Sequence, residues 1–157
     1  MVFGVMMVFS PVLSLHKAEI MQLYREVYPD RGQKKAQLLS SLIDGPTITG
    51  VICHLDDVCA GFILAQQSSS IGDIIEIITS PGFRRKGIAS GLLGAVTSLL
   101  QKNKTTELFL EVSADNHGAQ ALYRKNGFDR VGKRDRYYRR QDYFVDAIVM
   151  KKKLISS

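Results

Sequence analysis

The sequence predicts one α/β domain built on a mixed β-sheet with helices packed against it. The chain has 157 residues, of which 45% are apolar, enough for one hydrophobic core and too few for two ordinary domains, so residues 1–157 are expected to form a single domain. In the second half, strand and helix patterns alternate, which predicts a sheet with right-handed crossovers. In the first half, two β-branched apolar runs flank Asp56-Asp57, which predicts a hairpin.

The first elements are expected to be a strand and two helices. The opening run "MVFGVMMVFSPVLSL" has no basic residue before its apolar core and no small-residue cleavage pattern after it, so a first strand is favoured over a signal peptide. Ser14 is expected to cap the helix that follows. Its apolar face is predicted from helical spacing to hold Leu15, Ile20, Leu23, Tyr24 and Val27. A shorter helix is predicted over "KKAQLLSSLID", before Gly45-Pro46.

The hairpin strands "TITGVICH" and "VCAGFILAQ" contain the two cysteines. With a two-residue turn at Asp56-Asp57, Cys53 is expected opposite Ala60 and Cys59 opposite His54. The thiols would then face opposite sides of the sheet, so we expect reduced, structural cysteines in a cytoplasmic protein. The histidines are scattered along the chain without metal-ligand spacing, so no metal site is expected.

The second half is expected to alternate strands and helices and to close with two strands. "DIIEIIT" is a strand pattern that contains one charged residue, Glu76, and it is followed by the turn-containing run "SPGFRRKGIASGLL". The next helix has apolar residues at helical spacing, namely Ile88, Leu92, Val96, Leu99 and Leu100. "ELFLEV" predicts a strand, and "HGAQALYRKN" predicts a helix that Gly127 ends. "FDRVGKRDRYY" and "YFVDAIVMKK" predict the closing pair.

The formal charge of +6 lies in one segment. Arg124 to Arg140 holds eight basic and two acidic residues, and the rest of the chain is balanced. The segment is either a solvated strand region or a surface for phosphates, an acidic substrate or a ribonucleoprotein. No aromatic-interleaved signature accompanies it, so no nucleic-acid site is predicted. No segment approaches the ~20 apolar residues of a membrane span.

The basic turn at Ser80–Leu93 predicts an anion site, because a helix N-terminus offers unpaired N–H groups and partial positive charge. It lacks the spacing of a P-loop and the three glycines of a dinucleotide-binding turn. It does fit R-x-x-G-x-A with Arg84, Gly87 and Ala89. Gly87 would let the backbone approach a pyrophosphate, and the N–H groups between residues 85 and 90 would donate to it. Turns of this kind are common, so the pattern alone is weakly specific.

A second motif makes the assignment specific. The pattern N-x-x-A-x-x-L-Y-x-x-x-G-F is formed by Asn116, Ala119, Leu122, Tyr123, Gly127 and Phe128. With the basic turn, it makes residues 47–153 resemble the Gcn5-related N-acetyltransferases (GNAT superfamily). This resemblance implies a mixed, mostly antiparallel sheet of six to seven strands, with the fourth and fifth strands splayed and about four helices flanking it.

The resemblance also implies acetyl-coenzyme A (acetyl-CoA) as the cosubstrate and no metal. The pyrophosphate would bind at the turn formed by Arg84, Arg85, Lys86, Gly87, Ile88 and Ala89. The pantetheine would add to the backbone of Glu76, Ile77 and Ile78 as a pseudo-strand. Asn116 would either bond the pantetheine or cap the following helix.

"LFLEVSADNHGAQALYRKNGF" is most similar to the RimI group of the superfamily, with the motif spacing intact between Glu111 and Tyr123. This implies an N-terminal alanine of a small-subunit ribosomal protein as the acceptor. Two segments depart from the group on its acceptor side. Arg136-Tyr137-Tyr138-Arg139 replaces Asn-Tyr-Tyr-Pro, and no Trp follows the first helix.

Acetyl transfer to an amine needs a base and an acid. By resemblance, Glu111 would accept the amine proton, with a salt-bridged strand-end glutamate as the alternative. Glu76 competes for the same role, because a charged residue within "IIEII" has to face solvent or a cleft. Tyr123 would protonate the leaving thiolate, or simply pack the end of its helix. Tyr137 and Tyr138 with Arg136 would bound the acceptor entrance, or pack the sheet.

Two other functions fit the same motifs. One is an acetyltransferase for a small amine or a lysine side chain. The other is a non-catalytic module that binds coenzyme A, against which the presence of both Glu111 and Tyr123 argues. The acceptor, the oligomeric state and any regulatory partner are not predicted from these residues.

Overall fold

The computed structural model describes residues 4–154, which form one seven-stranded sheet. The strands are β1 (Met7–Pro11), β2 (Ile48–Leu55), β3 (Val58–Ser68), β4 (Ile71–Thr79), β5 (Glu107–Ser113), β6 (Asp129–Arg139) and β7 (Phe144–Lys153). The α-helices are α1 (Lys17–Val27), α2 (Gly32–Ile43), α3 (Ile88–Lys102) and α4 (His117–Lys125). Within the described range, none of the helices has the length and apolar character needed to cross a membrane.

The sheet is mostly antiparallel, and its strand order is β1-β2-β3-β4-β5-β7-β6. Only β4 and β5 are parallel, and their pairing is limited to Ile71–Asp73 against Glu107–Phe109. Beyond these three pairs the two strands diverge, so the later part of β4 has β3 on one side and no strand on the other. The mixed sheet and the splayed fourth and fifth strands are therefore confirmed.

Two apolar layers cover the sheet unequally. On one face, α3 packs on both halves of the sheet, with Leu92 and Leu100 in the same buried cluster as Leu108 and Met150. On the other face, α1 and α2 cover β2 to β4, and every buried member of that cluster lies between residues 20 and 78. No residue of β5 to β7 belongs to this second cluster, so the sheet has an uncovered region where β4 and β5 part.

The hairpin between β2 and β3 turns at Asp56 and Asp57, both of which have positive φ values, as its predicted two-residue turn requires. Cys59 lies opposite His54, as expected. The expected pairing of Cys53 with Ala60 is wrong, because a β-bulge between Cys53 and His54 shifts the register and places Cys53 opposite Gly61. Both thiols are free, and they belong to apolar layers on opposite faces of the sheet.

The start of α1 differs from the prediction. Ser14 does not cap the helix with its side chain, because Ser14–His16 form a short 3-10 turn before it. The Nδ1 atom of His16 instead accepts a hydrogen bond of 2.9 Å from the Leu13 N–H. Leu15 consequently points into solvent, with 74% of its surface exposed, whereas Ile20, Leu23 and Tyr24 are buried as expected.

Candidate active site

The divergence of β4 and β5 opens a cleft of about 1260 Å³. Its walls come from the α1–α2 side, from β4 and β5, from α4 and from the end of β6. Of the residues predicted for catalysis or cofactor binding, those that line it are Glu76, Ile77, Ala89, Glu111, Asn116 and Tyr123. Segments far apart in sequence therefore meet in one place.

The open edge of β4 exposes main-chain groups to this cleft. The Ser80 N–H donates to the Ala60 carbonyl across 2.8 Å, which sets the alternation of the antiparallel ladder between β3 and β4. By that alternation, Glu76 and Ile78 direct their N–H and C=O groups to β3. The groups of Ile77 point the other way, toward the position that a continuing β5 would occupy. Ile78 itself is buried beneath the α1–α2 layer.

Glu76 is the most perturbed carboxylate of the cleft. Only 19% of its side chain is exposed, and its Oε2 lies 3.5 Å from Nη1 of Arg31. Burial raises the pKa of Glu76 to about 6, while the charge of Arg31 and the N–H of Ile77 act in the opposite direction. Glu76 is therefore ionised at neutral pH yet exchanges protons near it, as a general base requires.

Arg31 was not identified from the sequence. It lies in the connection between α1 and α2. Its guanidinium sits 3.5 Å from the centre of the Tyr28 ring and forms a hydrogen bond with the side chain of Tyr24. The sequence marks the run "YPDRGQ" as a helix break and, by resemblance, as part of an acceptor-side segment, without a role for Arg31. The signal in the sequence is the tyrosine followed three positions later by an arginine within this helix break.

Glu111 lies on β5 and forms an ion pair, as expected under the alternative in which it is a salt-bridged glutamate at a strand end. Its Oε1 is 2.8 Å from Nε of Arg134 on β6, and the Arg134 side chain is 58% exposed. Because the arginine is open to solvent, the pair is expected to be weak. The carboxylate also acts on its neighbour across the cleft: burial and then the charge of Glu111 raise the pKa of Tyr138.

Tyr123 packs against the core and also reaches the cleft. Its ring is buried, with 7% of its surface exposed, and it packs edge-on against Phe128. It also lines the cleft, where burial and then the Glu76 carboxylate raise the pKa of its hydroxyl. A phenol with a raised pKa stays protonated over the working range of pH, and it can donate that proton.

The basic turn leads directly into α3 from the cleft. Gly87 is the N-cap residue with φ +77°, and no side chain caps the helix. A Cβ built on Gly87 meets no atom within 4 Å, so the space before the helix is open. Ile88 is buried in the core, which leaves only its N–H for a ligand. The preceding basic residues Arg84, Arg85 and Lys86 are exposed and do not line the cleft.

Asn116 lies at the start of α4, on the opposite wall. Its Oδ1 accepts a hydrogen bond of 3.1 Å from the Ala119 N–H, so the predicted helix cap is confirmed. Beside it, Arg140 donates to the Asp115 carboxylate and to the Ser113 hydroxyl. This contact ties the end of β6 to the start of α4.

Two of the three residues expected at the acceptor entrance line the cleft. Tyr137 and Tyr138 line the cleft and pack edge-on against each other, with ring centres 5.1 Å apart. Arg136 does not line it. Its guanidinium lies over the Phe144 ring, 5.0 Å from the centre, and its N–H donates to Asp146.

Two curated relatives are similar to part of the chain. Over 91 residues it is 34% identical to the [Ribosomal protein bS18]-alanine N-acetyltransferase of Escherichia coli K12, an alignment that covers 58% of this chain and 62% of that protein. Over 67 residues it is 42% identical to the N-alpha-acetyltransferase RimI of Mycobacterium tuberculosis, covering 43% of this chain and 40% of that one. The chain thus matches less than two thirds of the length of either relative.

The fold has a solved counterpart over nearly its full length. The crystal structure of the ribosomal-protein-S18-alanine N-acetyltransferase from Escherichia coli superposes with a TM-score of 0.86, covering 97% of this chain and 96% of that one at 24% identity. Residues 17–128 match the family described as Acetyltransferase (GNAT) family. With the splayed sheet, the uncapped α3 and the Tyr123 motif together, this chain belongs to the GNAT acetyltransferase family.

Proposed function

We propose that this chain transfers the acetyl group of acetyl-CoA to the N-terminal α-amine of a protein. The observation that carries the proposal is that Glu111 and Tyr123, on separate elements, line one cleft beside the open edge of β4. The relatives whose names specify a substrate act on a ribosomal-protein alanine. An N-terminal alanine, with a ribosomal protein as the first candidate, is therefore the acceptor to test.

The residues around the cleft fit acetyl-CoA. The uncapped N-terminus of α3 and the open space at Gly87 suit a pyrophosphate, because N–H groups and the helix dipole both favour an anion there. The exposed Arg84, Arg85 and Lys86 add positive charge. Ile77 is the residue of β4 whose main-chain groups suit an added strand, with Asn116 on the facing wall.

Bound acetyl-CoA would supply the acetyl group as a thioester. In the proposed roles, Glu111 accepts a proton from the acceptor amine, directly or through water, so that the neutral amine can attack. Tyr123 donates its phenolic proton to the departing sulfur. The raised pKa of Tyr123 keeps that proton available at neutral pH.

An α-amine suits this modest machinery better than a lysine does. With a pKa of ~8, about a tenth of an α-amine is neutral at pH 7, whereas a lysine at ~10.4 is neutral in less than about one part in a thousand. Glu76 is the rival base, and its pKa of about 6 supports that role. Both carboxylates have an arginine partner, so the motif position of Glu111 leads us to place Glu111 first.

The test is coenzyme A release from acetyl-CoA with three acceptors. These are a peptide with a free N-terminal alanine, the same peptide with its α-amine blocked and an internal lysine, and a polyamine. We expect the free alanine peptide to be the best substrate. Glu111→Gln should lose most activity near pH 7 and regain part of it as the pH rises, because more amine is then neutral. Glu76→Gln, the matched control, should be milder.

Each contrary result has a distinct meaning. A larger loss in Glu76→Gln than in Glu111→Gln would move the base to β4. Faster reaction of the lysine peptide or the polyamine would replace the N-terminal acceptor by one of those amines. Binding of acetyl-CoA without release of coenzyme A in the presence of any of the three acceptors would favour the non-catalytic module.

A further inference from the structure

The strand β6 contains a β-bulge directly before the second of the two tyrosines that line the cleft. The two strands of the closing pair are in register at Arg134 with Ala147, and next at Tyr138 with Val145. Between these pairs β6 advances four residues while β7 advances two, so residues 135–137 lie opposite a single residue of β7. Extra residues on one strand displace everything after them relative to the neighbouring strand, so the bulge decides where the tyrosines stand.

The backbone of the bulge is strained, and one side chain holds it. Arg136, in its middle, has φ +52°, a left-handed conformation that residues other than glycine adopt at a cost. Asp146 is the β7 residue opposite the bulge. Its carbonyl accepts a hydrogen bond of 2.9 Å from the Ala114 N–H just after β5, and its Oδ1 accepts one of 2.8 Å from the Arg136 N–H. Asp146 therefore joins the bulge to the end of β5.

The residues around the bulge contact one another and the candidate base. Arg134, before the bulge, pairs with Glu111, and its guanidinium lies 5.3 Å from the centre of the Tyr137 ring. Tyr137 packs edge-on against Tyr138. Burial and then the charge of Glu111 raise the pKa of Tyr138, so this tyrosine stands close to the carboxylate. The wall of the cleft beside Glu111 therefore has the shape that the bulge gives it.

We propose that Asp146 is a positioning residue, which fixes the bulge through the Arg136 N–H and so sets the two tyrosines beside Glu111. The inference rests on the proposed function, in which Glu111 accepts the proton of the acceptor amine. Asp146 does not line the cleft, so it acts through the main chain of β6 and not on the substrate. A hydrogen bond to an ionised oxygen is stronger than a neutral one, and its loss leaves the left-handed conformation without that support.

The test measures kcat and KM of coenzyme A release with the free N-terminal alanine peptide. Asp146→Ala removes the acceptor of the Arg136 N–H, so KM for the peptide should rise about tenfold while kcat changes less than about threefold. Asp146→Asn keeps a side-chain oxygen there, so its KM should stay within about threefold of wild type. Asp135→Ala is the matched control, because it removes a carboxylate of the same bulge that pairs with the exposed Lys133, and it should leave KM unchanged.

A second comparison tests the strain itself. Arg136→Gly puts at this position a residue for which a positive φ is unstrained. Adding Asp146→Ala to this variant should therefore raise KM by less than about threefold, so the two changes should not be additive. A tenfold rise in both backgrounds would overturn the inference.

Calorimetry with acetyl-CoA reports that each variant is folded, since its affinity should be retained. Asp146→Ser, whose oxygen is one bond closer to its own backbone, takes the place of Asp146→Ala if the latter does not bind. An unchanged KM, a loss confined to kcat as for a residue that only stabilises the fold, or an equal rise in Asp135→Ala would each overturn the inference and leave the proposed function standing.

The wild-type protein separates the two proposals. If it reacts only with the blocked lysine peptide or the polyamine, the proposed acceptor is wrong, and the same order of variants with that amine decides the inference by itself. If it reacts with none of the three acceptors, both proposals are overturned.

Discussion

Replacing Glu76 by glutamine should stabilise the protein at neutral pH. In the folded state the pKa of Glu76 is about 6, compared with 4.5 for an ordinary glutamate, chiefly because the side chain is buried. This difference of about 1.5 in pKa corresponds to about 2 kcal/mol by which folding disfavours the ionised carboxylate at pH 7. Glutamine is neutral and has the same shape, so it removes that penalty. It also leaves the partly exposed Arg31 unpaired, so we expect a gain of about 1–2 kcal/mol.

The stability difference between Glu76→Gln and wild type should depend on pH in a defined direction. Because the pKa is raised on folding, the folded state binds more protons than the unfolded state between pH 4.5 and 6, and wild-type stability falls as the pH rises through this window. The advantage of Glu76→Gln should therefore be full at pH 7.5, shrink as the pH falls through 6, and be nearly absent by about pH 4.5.

Urea unfolding at several pH values measures this advantage, provided that the m value is unchanged. Glu107→Gln is the matched control, because it breaks a strand-to-strand pair with Lys151 at a more exposed site and should change stability by less than about 0.5 kcal/mol. A Glu76→Gln protein that is less stable than wild type at pH 7.5 would refute the reasoning. It would mean that the ion pair with Arg31 outweighs the burial of the charge.

Three further substitutions test other parts of the site and the core. Tyr123→Phe keeps the packing on Phe128 but deletes the hydroxyl, so coenzyme A release should fall about 10²-fold with acetyl-CoA affinity nearly preserved; a fully active variant would make Tyr123 a packing residue only. Gly87→Val should weaken acetyl-CoA binding in calorimetry, whereas Gly32→Val, which has the same positive φ and equally open surroundings, should not; equal affinities would remove the turn from the site. Gly91→Ala places a methyl group against the Phe9 ring and should cost about 1 kcal/mol or more in urea unfolding; a similar cost in a Phe9→Leu background would contradict that contact.

The sequence predicted the elements well because each has a local signal. Short apolar runs marked β4 and β5, the glycine at position 127 marked the end of α4, and the paired aspartates marked the hairpin turn. The helix cap at Asn116 was also accessible, since a cap acts on residues two or three positions away.

What escaped prediction depends on residues distant in the chain or on small backbone irregularities. Arg31 meets Glu76 across 45 positions, and Arg134 meets Glu111 only because β5, β7 and β6 lie side by side. The β-bulge at Cys53 changes a register that residue type alone does not encode. Local patterns predicted some of the residues that line the cleft, whereas the charged partners of those residues depend on tertiary packing.

The unequal extent of the two apolar layers along the chain has a consequence for synthesis on the ribosome. The layer that α1 and α2 form on the sheet is made entirely of residues between Ile20 and Ile78. The other layer needs residues as late as Leu154. Because domains acquire structure as the chain emerges from its N-terminus, the first layer has all its members available before the basic turn, α4 or β7 has been translated. The cleft, whose lining extends to Arg140 after β6, can be completed only when the last strand inserts beside β5, because β6 joins the sheet through β7.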